Sequence, residues 1–244
     1  MRLIFGLIVG LAWLTAARAA EPGPYVVAYV DGHPYSESAI AFLTEAYRRI
    51  GITIAARPYP AKRSVELANR GEADAEAARI PDAMGDMDQL IAVPEPLGSD
   101  DIYVFTAGPQ VPVEGWESLR GLGLCVVVGN LVIMKRTSDM TREISHDVAS
   151  QFRMLSKGRC EAAISDDAAW LLIDKQHLGR FRMMGTPVQS FPVYHYVNRR
   201  HADLVEPLAA AFRALQAEGF PQTLRAPYLT QIRDAQARNA AAPQ

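Results

Sequence analysis

The sequence predicts an α/β protein of two lobes, each a sheet with helices on its faces. Strand and helix patterns alternate from Tyr25 to Ala78. Proline and glycine then break the chain at Gly108-Pro109 and Val111-Pro112, and the same alternation restarts at Leu124. Alternating β and α segments are the pattern of a parallel sheet with crossover helices.

The elements follow from local chemistry. Tyr25 to Val30 is rich in β-branched and aromatic residues and reads as a strand. Asp31-Gly32-His33-Pro34 is a loop, and Ser36 or Ser38 can cap a helix running to about Ile50. Its residues Ala39, Ile40, Leu43, Ala46, Tyr47 and Ile50 fall on one helical face, and Gly51 stops it. Ile52 to Ala56 is the next strand, Ala61 to Arg70 a short helix closed by Gly71, and Ala73 to Ala78 a third strand. Tyr103 to Thr106 is read as the exit from the first lobe. In the second lobe, Leu124 to Val128, Cys160 to Ser165 and Phe181 to Met184 read as strands. His146 to Ser156 and Ala168 to Gln176 read as helices. Phe191 to Val197 and a helix over Asp203 to Glu218 close the pattern, and the Ala/Gln/Asn-rich tail from Ala235 is expected to fray.

Arg2, the apolar run Leu3 to Leu14 and the small residues Ala17 and Ala19 predict an export signal cut after Ala19. That run is too short to span a bilayer, which takes about 20 residues. The expectation is a periplasmic protein. The chain carries 25 basic and 27 acidic residues, and without Arg2 and Arg18 the basic count falls to 23. This balance offers no footprint for nucleic acid. Cys125 and Cys160 permit one disulfide in an oxidising compartment; the alternative is two buried thiols.

Three segments carry a resemblance. The first runs from Pro60 to Ala75 and holds a short helix followed by Gly71-Glu72-Ala73-Asp74. The second is Ser118 to Gly129, a Leu-Arg-Gly turn before a Val-rich strand. The third is Lys157 to Asp166, containing Gly158, Glu161-Ala162 and Asp166. In this order they resemble the family 3 extracellular solute-binding proteins of bacterial uptake systems. The resemblance implies a periplasmic-binding-protein type II fold, with two doubly wound sheets joined by two hinge crossovers. It implies a discontinuous first lobe over residues 20–106 and 192–235, a second lobe over 107–191, and a frayed tail over 236–244. It also implies a monomer that holds a small-molecule ligand between the lobes and hands it to an ABC permease in the inner membrane.

Ligands of open α/β sheets bind at the carboxyl ends of the strands. The candidate ligand contacts are therefore Arg79, Asp166, Tyr59, Asn130, Tyr29, His33 and Arg63. Arg79 suits a carboxylate held bidentately. Asp166 aligns with the aspartate that, in the family resembled, holds a ligand ammonium group. Asp167 reads as a helix cap, and the two roles can be exchanged. Ala78-Arg79-Ile80-Pro81 lacks the hydroxyl residues of the amino-acid binders, so the expectation is a small carboxylate-bearing solute rather than an ordinary amino acid. No metal, cofactor or nucleophile motif is present: there is no Gly-x-Ser-x-Gly, His-Glu-x-x-His or phosphate-binding Gly-Lys-Ser/Thr. The expectation is a non-enzyme. Its alternatives are a stand-alone sensory or accessory binding protein, and a secreted dehydratase-like enzyme on the same fold.

Overall fold

The structure, a computed structural model, describes residues 23–241. The expected export signal and the last residues of the tail lie outside the described residues. The strands β1 (Tyr25–Val30), β2 (Ile54–Tyr59) and β3 (Ala75–Arg79) alternate with the helices α1 (Pro34–Arg49) and α2 (Ala61–Asn69). Next come β4 (Leu90–Ala92) and a long strand β5 (Gly98–Thr106). The second unit is β6 (Leu124–Val127), α3 (Leu131–Arg136), β7 (Arg142–Ser145), α4 (Val148–Ser156), β8 (Ala162–Asp166), α5 (Ala169–Gln176) and β9 (Arg182–Met183). Strand β10 (Gln189–Asn198) leads to helices α6 (Val205–Ala217) and α7 (Phe220–Ala241).

The strands run in the order β2-β1-β3-β10-β5-β8-β6-β7. β1 is parallel to β2 and β3, and β6 is parallel to β7 and β8. The two parallel sets are joined by β10 and β5, which pair antiparallel from Gln189↔Ile102 to Val193↔Gly98. These two strands are the crossovers. The first half of β5 faces β10, while Ile102 to Phe105 pair with β8. The segment read as the exit from the first lobe thus belongs, by its pairing, to the second sheet.

Each half has its own apolar core. On the first, Val27, Phe42, Leu43 and Tyr47 pack against Phe212 and Leu215 of α6. Within it His195 is fully buried. Its Nδ1–H donates to the Ala77 carbonyl at 3.1 Å, and its Nε2 accepts from the Tyr47 hydroxyl at 2.9 Å. Burial lowers its pKa to about 4, so the ring is neutral. On the second, Phe105, Phe152, Trp170 and Phe181 cluster around the Cys125–Cys160 disulfide, whose Cα atoms are 5.7 Å apart.

The segments that carry the resemblance also hold the fold together. Asp74 of the Gly71-Glu72-Ala73-Asp74 run accepts from the Val26 N–H at 2.7 Å, and from Arg200 and His201 at 2.5 and 2.7 Å. It ties the start of β1 to the turn after β10. Gly71 has a positive φ of 74°, and a Cβ there would come within 2.8 Å of the Arg200 guanidinium. Glu161 plays the matching part in the second half, accepting from the Gly123 N–H at 2.8 Å.

Three local expectations are corrected. The cap of α1 is His33, with Pro34 at the first helical position, rather than Ser36 or Ser38. Arg142 to Ser145, read as loop, is an edge strand. Residues 236–241, expected to fray, continue α7. There Asn239 donates to the Gly179 carbonyl at 2.7 Å and accepts from the Phe181 N–H at 3.0 Å. Phe220 and Leu224 at the start of α7 pack on the first core, and Ile232 and Ala235 enter the second. The helix is a strap across both halves.

Candidate functional site

The two halves meet at the carboxyl ends of β1 and β8. The turn after β1 carries His33, whose Nδ1 accepts from the Tyr35 N–H at 3.3 Å. That leaves Nε2 to carry a proton, and it lies 3.3 Å from Asp166 Oδ2 at the end of β8. One residue further, Asp167 Oδ1 accepts from the Tyr35 hydroxyl at 2.7 Å. Arg225 of α7 lies over the Tyr35 ring, 5.3 Å from its centroid. At another point on the junction Arg136 of α3 meets Asp82 at 3.3 Å. The hinge strand β5 adds Asp100.

The electrostatics of this junction are those of a crowded acidic site. Burial opposes protonation of His33, but its hydrogen bond to Asp166 and the charges of Asp166 and Asp100 raise its pKa above the ordinary value. Burial, then the neighbouring Asp166 charge, pushes Asp100 up to about 7. Burial also raises Asp167, against the hydrogen bond from Tyr35.

A pH experiment follows from Asp100. An unfolded aspartate titrates near about 3.9. Between there and about 7 the folded state binds the extra proton, so the Asp100 contribution to stability falls as pH rises through that window. Asp100→Asn removes this cost. It is expected to raise the melting temperature at pH 8 by roughly 4–8 °C, corresponding to about 2 kcal/mol for a domain of this size. The gain should shrink to near nothing at pH 4.5. Scanning fluorimetry at both pH values reads it, and an equal or lower melting point at pH 8 contradicts it.

Arg79 takes a different part from the one expected. Its Nε donates to Glu76 Oε1 at 2.7 Å, and its Nη2 to the Ala61 carbonyl at 2.5 Å. Glu76 is fully buried, bonded also to the Ser64 hydroxyl, and the Arg79 side chain is 14% exposed. Two edges of the guanidinium are thus taken by the protein itself, and the bidentate carboxylate grip expected of it is not the arrangement observed.

The other expected contacts are scattered. Tyr29 packs partly on the first core and lines a pocket of about 270 Å³ beside His33. Tyr59, at the end of the edge strand β2, packs against Ala28, Leu67 and Ala68. Asn130 uses its side-chain oxygen to cap α3, accepting from the Ile133 N–H at 3.1 Å. Arg63 is exposed on α2. Asp167 is not the cap of α5, since Ala168 holds that place without a side-chain bond. Of the expected set, the structure gathers His33 and Asp166, with Arg79 near enough for its charge to act on His33.

Sequence reasoning passed over Tyr35, Glu76, Asp100, Arg225 and Tyr228. Asp100 had one available signal, a pair of aspartates opening an otherwise apolar hinge strand. Glu76 had another, a charge inside the alanine-rich strand Ala75–Arg79. Among the described residues no group of three or more His, Cys, Asp or Glu side chains is placed to hold a metal ion. Among the same residues no helix is long and apolar enough to cross a membrane.

No family model matches the chain. A protein of Shewanella oneidensis described as uncharacterized is 22% identical over 245 residues, covering 88% of this chain and 90% of that one. Among solved structures, the ligand-binding core of GluR0 in complex with L-glutamate superposes with a TM-score of 0.71 at 12% identity, over 86% of this chain and all of that one. A probable amino-acid ABC transporter extracellular-binding protein of Bacillus subtilis gives 0.68 at 15% identity, over 83% of this chain and 96% of that one. A histidine kinase sensor domain with similarity to periplasmic binding proteins gives 0.64 at 16% identity, over 84% and 96%. Identities this low carry the fold alone, and by fold the chain is a two-lobed domain of the periplasmic-binding-protein type II class.

Proposed function

We propose that this chain is an exported solute-binding protein that closes its two lobes over a small polar solute and delivers it to an ABC importer. The single observation that carries the reading is the junction itself. Polar side chains from the carboxyl ends of β1 and β8 meet across the hinge strands, His33 with Asp166 and Tyr35 with Asp167. Open α/β sheets bind ligands at such strand ends. A binding-protein likeness in the fold and the export signal expected at residues 1–19 support the same reading. On it the protein works in the periplasm as a monomer and catalyses no reaction.

Thermal denaturation against a panel of small metabolites tests this. A solute that binds only the folded state at 100 times its Kd should stabilise it by about 2.7 kcal/mol, roughly 5–11 °C here. A wide panel that leaves the melting point unmoved would count against the reading. The likeness to a histidine kinase sensor domain favours a second reading, a binding module that reports its solute to a signalling partner. Solute uptake lost on deleting the gene supports the transport reading; intact uptake with an altered transcriptional response supports the sensory one.

A further inference from the structure

We propose that Glu76 sets the sign of charge this site accepts, so that the solute carries a cationic group, an ammonium or guanidinium, and needs no carboxylate. The inference rests on the solute-binding reading and refines it. It starts from the Arg79–Glu76 pair. A guanidinium at the end of β3 would make this region a natural anion site, but the buried Glu76 carboxylate lies 2.7 Å from it. The pair is neutral as a unit, and the Ala61 carbonyl takes a further donor.

With Arg79 neutralised, the surroundings are anionic. Asp100, Asp166 and Asp167 line the junction from β5 and β8, and the cations beside them are His33 and Arg225. The pocket next to it has the same character independently. It is lined by Tyr29, Asp31, His33, Ser36, Glu37 and Tyr228, with two carboxylates and no lysine or arginine. The rings of Tyr29 and Tyr228 offer faces of the kind that attract a cation. His33 belongs to both pocket and junction, so a solute entering the pocket meets one continuous acidic surface. Recessed charge of one sign concentrates the opposite ion. Exchanging Glu76 for a neutral group would restore the positive charge of Arg79 and turn the preference round.

The experiment is isothermal titration of the mature protein with matched probes of opposite sign: 1,4-diaminobutane and agmatine against succinate and glutarate, at pH 7.5 and low salt. Wild type is expected to bind a cationic probe and neither dicarboxylate. Glu76→Gln is expected to lose at least tenfold in affinity for the cation and to gain measurable binding of a dicarboxylate. A wild type that binds the dicarboxylates in preference overturns the proposal and leaves the solute-binding reading standing. So does a folded Glu76→Gln protein with an unchanged preference. Failure of every probe also overturns it, and the metabolite panel then decides the solute-binding reading separately. Should Glu76→Gln not fold, the wild-type titrations still decide the sign of charge.

Discussion

Replacing Arg79 with alanine is expected to destabilise the fold by about 3–5 kcal/mol, because it leaves a buried carboxylate without its partner. Glu76 is fully buried, and apart from Arg79 its side chain meets only the Ser64 hydroxyl in the described contacts. Burial already raises its pKa, against the opposing pull of Arg79 and Ser64. Without Arg79 the carboxyl escapes part of the cost by taking up a proton, and that escape closes as pH rises. The loss measured by urea unfolding should therefore be larger at pH 8 than at pH 5. Adding Glu76→Leu to Arg79→Leu removes both charges together and should recover much of the stability, since buried pairs exchanged for apolar groups are often neutral or better. A loss that is independent of pH and persists in the double variant would show that packing, not charge, is at stake. A ligand-induced shift lost in Arg79→Ala would accordingly say little about ligand contact, because the variant weakens the fold itself.

The second large effect is expected from the disulfide. Cys125 and Cys160 are 35 residues apart, and a crosslink closing a loop of that size stabilises by about 4 kcal/mol on a chain-entropy account. Both residues are buried among Phe152, Trp170 and Ala163, so alanine in both places leaves apolar groups in apolar surroundings. Cys125→Ala/Cys160→Ala is expected to melt roughly 8–16 °C below the parent. Reduction of the parent in mild denaturant should bring it toward the same value. Equal melting points for oxidised and reduced protein would contradict the crosslink.

The alternation of strands and helices was legible because each element has one face against a core. Leu43, Ala46 and Tyr47 of α1, and Leu208, Phe212 and Leu215 of α6, repeat at helical spacing and are buried. Helix α7 was not legible, since Ile232, Ala235 and Asn239 are its buried residues over 22 positions. Strand β7 was hidden for a related reason: at the sheet edge, Glu143 and Ile144 are both exposed, so no alternation shows.

At the site, strand ends could be found from the sequence and partners could not. His33 and Asp166 were expected to line a cleft, but 133 residues separate them, and no local pattern states that they meet. Glu76 and Arg79 are three apart on a strand, where simple alternation puts side chains on opposite faces. Their pairing lies beside an irregular stretch of ladder between β3 and β10.

By itself the sequence determined the fold class, the order of most elements and the strand ends that carry polar residues, because these follow from local periodicity and from glycine and proline. Only the tertiary structure decided what each charge faces. It set Arg79 on Glu76, placed Asp100 in the hinge beside Asp166, and ran a polar helix across both halves. Those outcomes depend on desolvation and on contacts between residues distant in the chain, and neither quantity is written in any local stretch of it.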